Sequence, residues 1–380
     1  MEIKILDTTL RDGEQAPGVY FTTEEKFQIV NFLFDAGVSE IEAGIPFISD
    51  ENFKFIKEII EIYPYKDIST WSRLKLNDLE ITKKCGVKII HISVPVSEIL
   101  YKSQIGEWND VKARLKTCLD FAILNFSKIS LGLQDIFRSN LLELEEILEI
   151  ANKYQIYRIK ISDTVGYALP YEVKEIISFC KTKYKGLIGF HGHNDIGLAT
   201  ANSLTAIESG ATFIDTTVNG LGERAGNTAL EEISFILNKH HNYSSNIDLK
   251  KLKPLSKYVS KASGRDLPDY KPITGEKIFL HESGIHCREL LKNPLSYQPF
   301  IPEQLGLNKT EIVIGSHTGK AVIKDSISKL GYKYNDSQLD SIIDICRSLA
   351  IKKKNFLTVS ELNKIFSSEL GVQNEFMQKK

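Results

Sequence analysis

Short apolar, β-branched runs recur along the first two-thirds of the chain, each followed by a stretch whose apolar residues return every three or four positions. The runs are Ile3–Leu6, Glu40–Glu42 with its flanks, Asp67–Trp71, Val87–Val94, Lys128–Leu133, Tyr157–Ile161, Leu187–Phe190 and Thr212–Val218. The stretches of helical period include Thr23–Ala36, Asn52–Ile62, Val111–Leu124, Leu141–Tyr154, Tyr171–Tyr184 and Asp195–Ser209. Eight strand–helix units in roughly 240 residues match a TIM (β/α)8 barrel, which has eight in ~250. The competing α/β architecture is an open doubly wound sheet. With no GxGxxG after the first strand, eight regular units favour the barrel.

The period breaks near His240. Asn242–Asn246 reads as a loop, and residues 247–310 carry Pro254, Pro268, Pro272, Pro294, Pro299 and Pro302, too many for further regular units. Residues 318–380 read as helical, with helices predicted around Ser337–Leu349 and Ser360–Leu370. The expected organisation is a catalytic barrel over 1–245, a linker and lid over 246–317, and a mostly helical C-terminal extension over 318–380.

Composition narrows the class. The 380 residues are 42% hydrophobic and 26% charged, with a net charge of -1, as in an ordinary soluble globular protein. That balance argues against nucleic acid as the main partner, and Lys352–Lys354 reads as a solvated helix face. No apolar stretch approaches membrane-spanning length. The chain enters a strand-like run at once, so no signal peptide is expected. Five scattered cysteines without a CxxC argue against a disulfide framework and for the cytoplasm.

In a TIM barrel the chemistry collects at the C-terminal ends of the strands. Polar residues crowd those positions here: Arg11 and Asp12 after the first strand, Glu42 after the second, Arg73 after the third, Gln134-Asp135 after the fifth, and Asp163-Thr164 after the sixth. His191-Gly192-His193 follows the seventh. Residues two apart on a strand share a face, so the two imidazoles can hold one metal ion. Asn194-Asp195 then reads as a helix N-cap. The eighth strand runs into Asn219–Asn227, whose three glycines mark a tight turn or a close approach. The inferred ligand set is Asp12, His191, His193 and Asn227, suited to Zn, Mn, Mg, Fe or Co. A 2-oxo acid could chelate such an ion through carboxylate and keto oxygens, and Arg11 could stabilise charge on the keto oxygen. Further on, His281–His286 reads HESGIH. The spacing is not the HExxH of zinc proteases, and His286 and Tyr297 are candidate proton carriers.

Together, LDTTLRDGEQAPG (Leu6–Gly18), HGHNDIGLATANS (His191–Ser203), TVNGLGERAGNTALEE (Thr217–Glu232) and HESGIH resemble the isopropylmalate synthase and homocitrate synthase family. The resemblance runs from the first strand to about Gly319. Related lyases and carboxyltransferases share the barrel and the HxH, but not RDGEQxPG together with NGxGERxGN. The resemblance implies condensation of acetyl-CoA with a 2-oxo acid and hydrolysis of the thioester. It places the metal on Asp12, His191 and His193, with Asn227 direct or through water, and makes Arg11 the electrophilic helper. It sets Gln15, Glu42 and Thr164 around the oxo acid. It makes His286 and Tyr297 a proton-handling pair supplied by the partner subunit of a domain-swapped homodimer. Trp71-x-Arg73 and Ser93–Ser97 look most like the nitrogen-fixation type of homocitrate synthase, with Arg73 among the substrate-binding candidates. The substrate that follows is 2-oxoglutarate; the alternatives are isopropylmalate, citramalate or Re-citrate synthesis.

One position departs from the family. Its members carry a glutamate-aspartate pair after the fifth strand, followed by an arginine; here Asp135 and Arg138 match but the glutamate position is Gln134. An amide keeps the shape and the hydrogen bonds but carries no proton to shuttle. A catalytically weakened paralogue that binds metal and 2-oxo acid is therefore the reading from another class.

Overall fold

The computed structural model describes residues 1–307 and 310–371. Eight parallel strands close into a barrel in chain order: β1 (Lys4–Asp7), β2 (Glu40–Glu42), β3 (Asp67–Arg73), β4 (Ile89–Pro95), β5 (Lys128–Gln134), β6 (Arg158–Asp163), β7 (Leu187–Gly192) and β8 (Phe213–Thr216). β8 pairs with β1 from Lys4↔Phe213 to Asp7↔Thr216 and completes the ring. The expected TIM barrel is the observed one.

The strand bounds differ from expectation in a consistent direction. β3, β5, β6 and β7 run on into Ser72-Arg73, Gln134, Ser162-Asp163 and His191-Gly192, polar residues that an apolar pattern excludes. Their backbones are laddered all the same, as in Ser162↔His191. β8 is shorter than the expected Thr212–Val218, because Val218–Gly220 forms a 3-10 turn.

Helices cover the outside of the barrel. Thr23–Asp35 starts at a capping box in which Thr22 accepts from Glu25 N–H while Glu25 accepts from Thr22 N–H. Two helices, Glu98–Gln104 and Trp108–Asn125, separate β4 from β5. After β7 the helix begins at Ala199, not at Asp195. Asn194 Oδ1 still accepts from Ala199 N–H at 3.1 Å, but from the far side of a turn, and Asp195 is drawn off to Arg224. The proline-bearing stretch also contains a regular helix, Leu249–Ala262 with Pro254 inside it. Leu249, Leu252, Leu255 and Val259 form a buried stripe that outweighs the missing backbone bond, and the helix packs on Thr23–Asp35.

The chain divides into two compact units, Met1–Leu267 with Pro272–Thr274, and Pro268–Lys271 with Gly275–Lys380. The second unit has its own core. Helices Lys320–Lys329, Asp336–Lys353 and Val359–Leu370 gather around Ile323, Leu339, Ile342 and Phe366. The predicted helical extension is thus observed; its expected last residues, 372–380, lie outside the described residues. Lys352 and Lys353 are exposed in a last helical turn, where cations suit the helix dipole, and Lys354 closes the helix at φ 55°. All five cysteines are buried and unpaired, and burial pushes their thiols up to about 11 or 12. No helix among the described residues is long and apolar enough to cross a membrane.

Candidate active site

The loop after β1 turns back on itself at once. The N–H groups of Arg11, Asp12 and Gly13 all donate to the Thr8 carbonyl, at 3.0, 2.8 and 3.1 Å. That folds Asp12 over the barrel end. His191 is the next-to-last residue of β7, and His193 lies one step beyond the strand, bridged to Asn227. Asn227 arrives through the glycine-rich loop after β8. A Cβ on Gly226 would lie 1.9 Å from the Gly220 carbonyl oxygen, and one on Gly222 would lie 2.2 Å from Asn227 Nδ2. The glycines therefore let this loop close on itself, and Asn227 Nδ2 is fixed by a 3.0 Å bond to the Leu221 carbonyl.

These elements converge on one point. His191 Nε2 and His193 Nε2 are 3.4 Å apart, and each is 3.7 Å from Asp12 Oδ2. All three residues are buried, and they form the group of side chains able to hold a metal ion among the described residues. The far ring nitrogens are occupied: His191 Nδ1 is 3.2 Å from Asp215 Oδ2, and His193 Nδ1 is 3.2 Å from the Gly226 carbonyl. Those outer bonds fix both rings with Nε2 turned to the shared point, as metal-ligating histidines require. Asp12 Oδ2 and Asn227 Oδ1 are buried with no hydrogen-bond partner. Buried polar atoms without partners are rare, and these belong to the predicted ligands. Two imidazoles, a carboxylate and an amide oxygen fit a divalent ion.

The surrounding charges keep these groups in ligand form. Burial works against the Asp12 carboxylate, but Arg11, His191 and His193 outweigh it and hold the carboxyl below its ordinary range. Burial and the neighbouring His191 bring His193 down to about 4, so its imidazole is neutral at pH 7. Arg11 donates from Nε to Glu42 Oε1 at 2.5 Å and from Nη1 to Asp12 Oδ1 at 2.8 Å. Beneath them Lys160, buried in β6, reaches Asp215 Oδ2 at 2.6 Å and Glu42 Oε2 at 3.3 Å. Against the cost of burial, Lys160 holds Asp215 at about 2, and with Arg11 it keeps Glu42 ionised.

Above this base is a cavity of about 300 Å³ whose walls include Arg11, Asp12, Gln15, Gln134, Thr164, His191 and His193. Of the predicted substrate-binding residues, Arg11, Gln15 and Thr164 thus share one space with Asp12, His191 and His193. Glu42 lies behind Arg11 with both oxygens engaged. Arg73 lines an adjoining cavity, which Gln134 also lines. Thr164 Oγ1 accepts from the Asp135 N–H at 2.9 Å, and Asp135 is gripped by Arg138 and by Ser97 Oγ. His286 and Tyr297 belong to the second unit, where their rings stack with centroids 4.1 Å apart.

Lys160, Asp215 and His91 also line the cavity and were not singled out by the sequence pattern. A signal for Lys160 existed. Arg158, Lys160 and Ser162 alternate with Ile159 and Ile161 along β6, so three polar residues share the inward face. Burial and the nearby Lys160 push His91 well below its usual value, leaving a neutral ring in the wall.

The chain matches the HMGL-like family model over residues 2–259 and a homocitrate synthase post-HMGL domain-like model over residues 273–354. It is 38% identical over 362 residues to homocitrate synthase 1 of Nostoc sp., covering 95% of this chain and 96% of that protein. It is 35% identical over 361 residues to 2-isopropylmalate synthase 2 of Caldanaerobacter subterraneus, covering 95% and 94%. Among solved structures, a hydroxymethylglutaryl-CoA lyase from Pseudomonas aeruginosa superposes with a TM-score of 0.62 at 18% identity, over 70% of this chain and 94% of the other. At that identity the likeness concerns the barrel alone.

Proposed function

Because the chain belongs to the homocitrate and 2-isopropylmalate synthase branch of the HMGL-like family, we propose that it condenses acetyl-CoA with 2-oxoglutarate to give homocitrate. The acetyl methyl loses a proton and bonds to the keto carbon, the keto oxygen becomes a hydroxyl, and water cleaves the thioester to release CoA. The observation that carries this reading is the convergence of Asp12, His191 and His193, with an orphaned Asp12 oxygen, on a cavity walled by Arg11. The choice of 2-oxoglutarate is supported by the homocitrate synthase-like second domain and the 38% identity to a homocitrate synthase.

A divalent ion held by Asp12, His191, His193 and Asn227 supplies Lewis-acid polarisation of the keto group when bound. The protein's own groups do the rest. Arg11, oriented by Glu42 and Asp12, offers its remaining donors to the oxygen on which charge develops. Thr164 and Gln15 bound the cavity where the oxo acid sits. Gln134 donates and accepts hydrogen bonds but takes no proton. The family resemblance assigns proton transfer to His286 and Tyr297, supplied by a second subunit of a domain-swapped homodimer in the cytoplasm. Mixing Asp12→Ala and His286→Ala chains, each inactive alone, restores activity in heterodimers if this is so. No rescue under confirmed subunit exchange would reject the swap.

The test of the reaction is thiol release from acetyl-CoA with 2-oxoglutarate, 2-oxoisovalerate, pyruvate and oxaloacetate in turn. Preference for 2-oxoglutarate is expected. Preference for another acid replaces the substrate and keeps the chemistry. Release with none of them favours the weakened-paralogue reading that Gln134 suggests.

A further inference from the structure

Three loops of the barrel mouth meet at one guanidinium. Arg224, in the glycine-rich loop after β8, donates from Nε and Nη2 to the two carboxylate oxygens of Asp195, at 2.8 and 3.1 Å. Its Nη2 also donates to the Thr164 carbonyl at 2.9 Å. Asp195 belongs to the turn after β7 and Thr164 to the turn after β6, so one side chain ties together the ends of three consecutive strands. The backbone is shaped for this contact. Gly166 has φ 64°, and a Cβ there would lie 2.1 Å from Asp195 Oδ2. Arg224 itself has φ 53°, a left-handed conformation that a long side chain keeps only where its surroundings impose it.

The metal cluster has other supports. His191, His193 and Asn227 are set by Asp215, the Gly226 carbonyl and the Leu221 carbonyl. Thr164 depends on the tie more directly. Its hydroxyl oxygen accepts from the Asp135 N–H at 2.9 Å, and its backbone carbonyl is held by Arg224. Beyond it the turn closes on Asp163, whose carboxylate accepts from the Tyr167 and Ala168 N–H groups at 3.0 and 3.2 Å. Thr164 and Arg224 both line the cavity over the two histidines.

We propose that Arg224 and Asp195 form a latch that positions Thr164, and so sets the affinity of the site for the oxo acid while leaving that for the divalent ion unchanged. Arg224 is then a positioning residue. The latch rests on the placement of the oxo acid beside Thr164 given above. A lysine would keep the charge but not the planar fork that reaches a carboxylate and a carbonyl at once. The test is calorimetric titration of the Mn²⁺-saturated protein with 2-oxoglutarate and with 2-oxoisovalerate, which needs no turnover. Arg224→Met and Arg224→Lys are both expected to bind the preferred acid about 10-fold more weakly, as loss of a charge-assisted hydrogen bond does. Both bind Mn²⁺ with wild-type affinity. Adding Asp195→Asn to Arg224→Met weakens the acid no further, because the two groups act as one unit. In the protein without ligands, amides of residues 164–168 exchange with solvent about 10-fold faster in Arg224→Met, while β6 and β7 keep their protection. Unchanged acid affinity in Arg224→Met overturns the proposal. So does wild-type affinity in Arg224→Lys, which would mean that the cation draws the acid by charge alone. A parallel loss of Mn²⁺ also overturns it, since the tie would then brace the whole mouth. If the wild type binds neither acid, the placement of the oxo acid fails; the exchange measurement then decides the latch, and unchanged rates at 164–168 reject it.

Discussion

Two clusters of charge are buried inside this barrel, and they differ in one respect. In the lower, Arg158 donates to both oxygens of Glu40, at 3.0 and 2.9 Å, and to Ser130 Oγ at 3.2 Å. Every strong partner there is matched. In the upper, Asp12 Oδ2 and Asn227 Oδ1 have no partner, and the two Nε2 atoms face only one another and Asp12. Burial is the same and saturation is opposite. The closed cluster is a structural device whose desolvation is offset internally. The open one carries an uncompensated cost unless something binds. Orphaned atoms alone do not mark a site: the Ser69 and Thr70 hydroxyls are also unpartnered, but they sit on opposite faces of β3 and converge on nothing.

Breaking the closed cluster gives the largest expected effect. Glu40→Ala leaves Arg158 charged, buried and without its carboxylate, which costs about 3–5 kcal/mol of stability. Thermal unfolding of the metal-free protein measures it, and a Tm within a degree of wild type would show that the pair is not what holds Arg158 in place. Asp215 sharpens the contrast because it ties the open cluster to the buried lysine beneath it, bonding both Lys160 and His191. Asp215→Asn is expected to weaken divalent-ion affinity by about 10- to 100-fold, as loss of a metal ligand's outer partner does. Unaltered affinity would show that the His191 ring is set by packing instead. Gln134 gives the smallest effect. In Gln134→Glu, a carboxylate returns to the end of β5, and the synthase rate is expected to rise by about 10-fold, the low end of a general acid–base contribution. The KM for the oxo acid stays in place. A lower rate would mean that the proton path has been rebuilt around the amide.

Much of this was legible in the sequence, and the failures share a cause. Alternating strand and helix periods gave the barrel, because each unit repeats one simple burial pattern. The ends of the strands were misplaced at Arg73, Gln134, Asp163 and His191, where site residues break that pattern while the backbone ladder continues. The cluster of Asp12, His191 and His193, and Asn227 bridged to it, was readable because the motif grammar around these residues is dense. Lys160 and Asp215 were not. Asp215 is one charged residue within an apolar strand, the alternation of Arg158, Lys160 and Ser162 along β6 does not say what Lys160 meets, and only the closure of the ring brings β6 and β8 together across the barrel. The start of the helix after β7 was misread for a related reason: Asp195 has the chemistry of a cap but is engaged by Arg224, at 2.8 Å.

The open cluster is tested most directly by titrating the metal-free protein with a divalent ion at neutral pH, in wild type, His193→Ala and Glu40→Gln. One ion bound per chain is expected in the wild type, with loss of that binding in His193→Ala and retention in the folded fraction of Glu40→Gln. Binding of equal stoichiometry and affinity in His193→Ala would contradict it, because the unpartnered atoms at the barrel mouth would then not be a metal site.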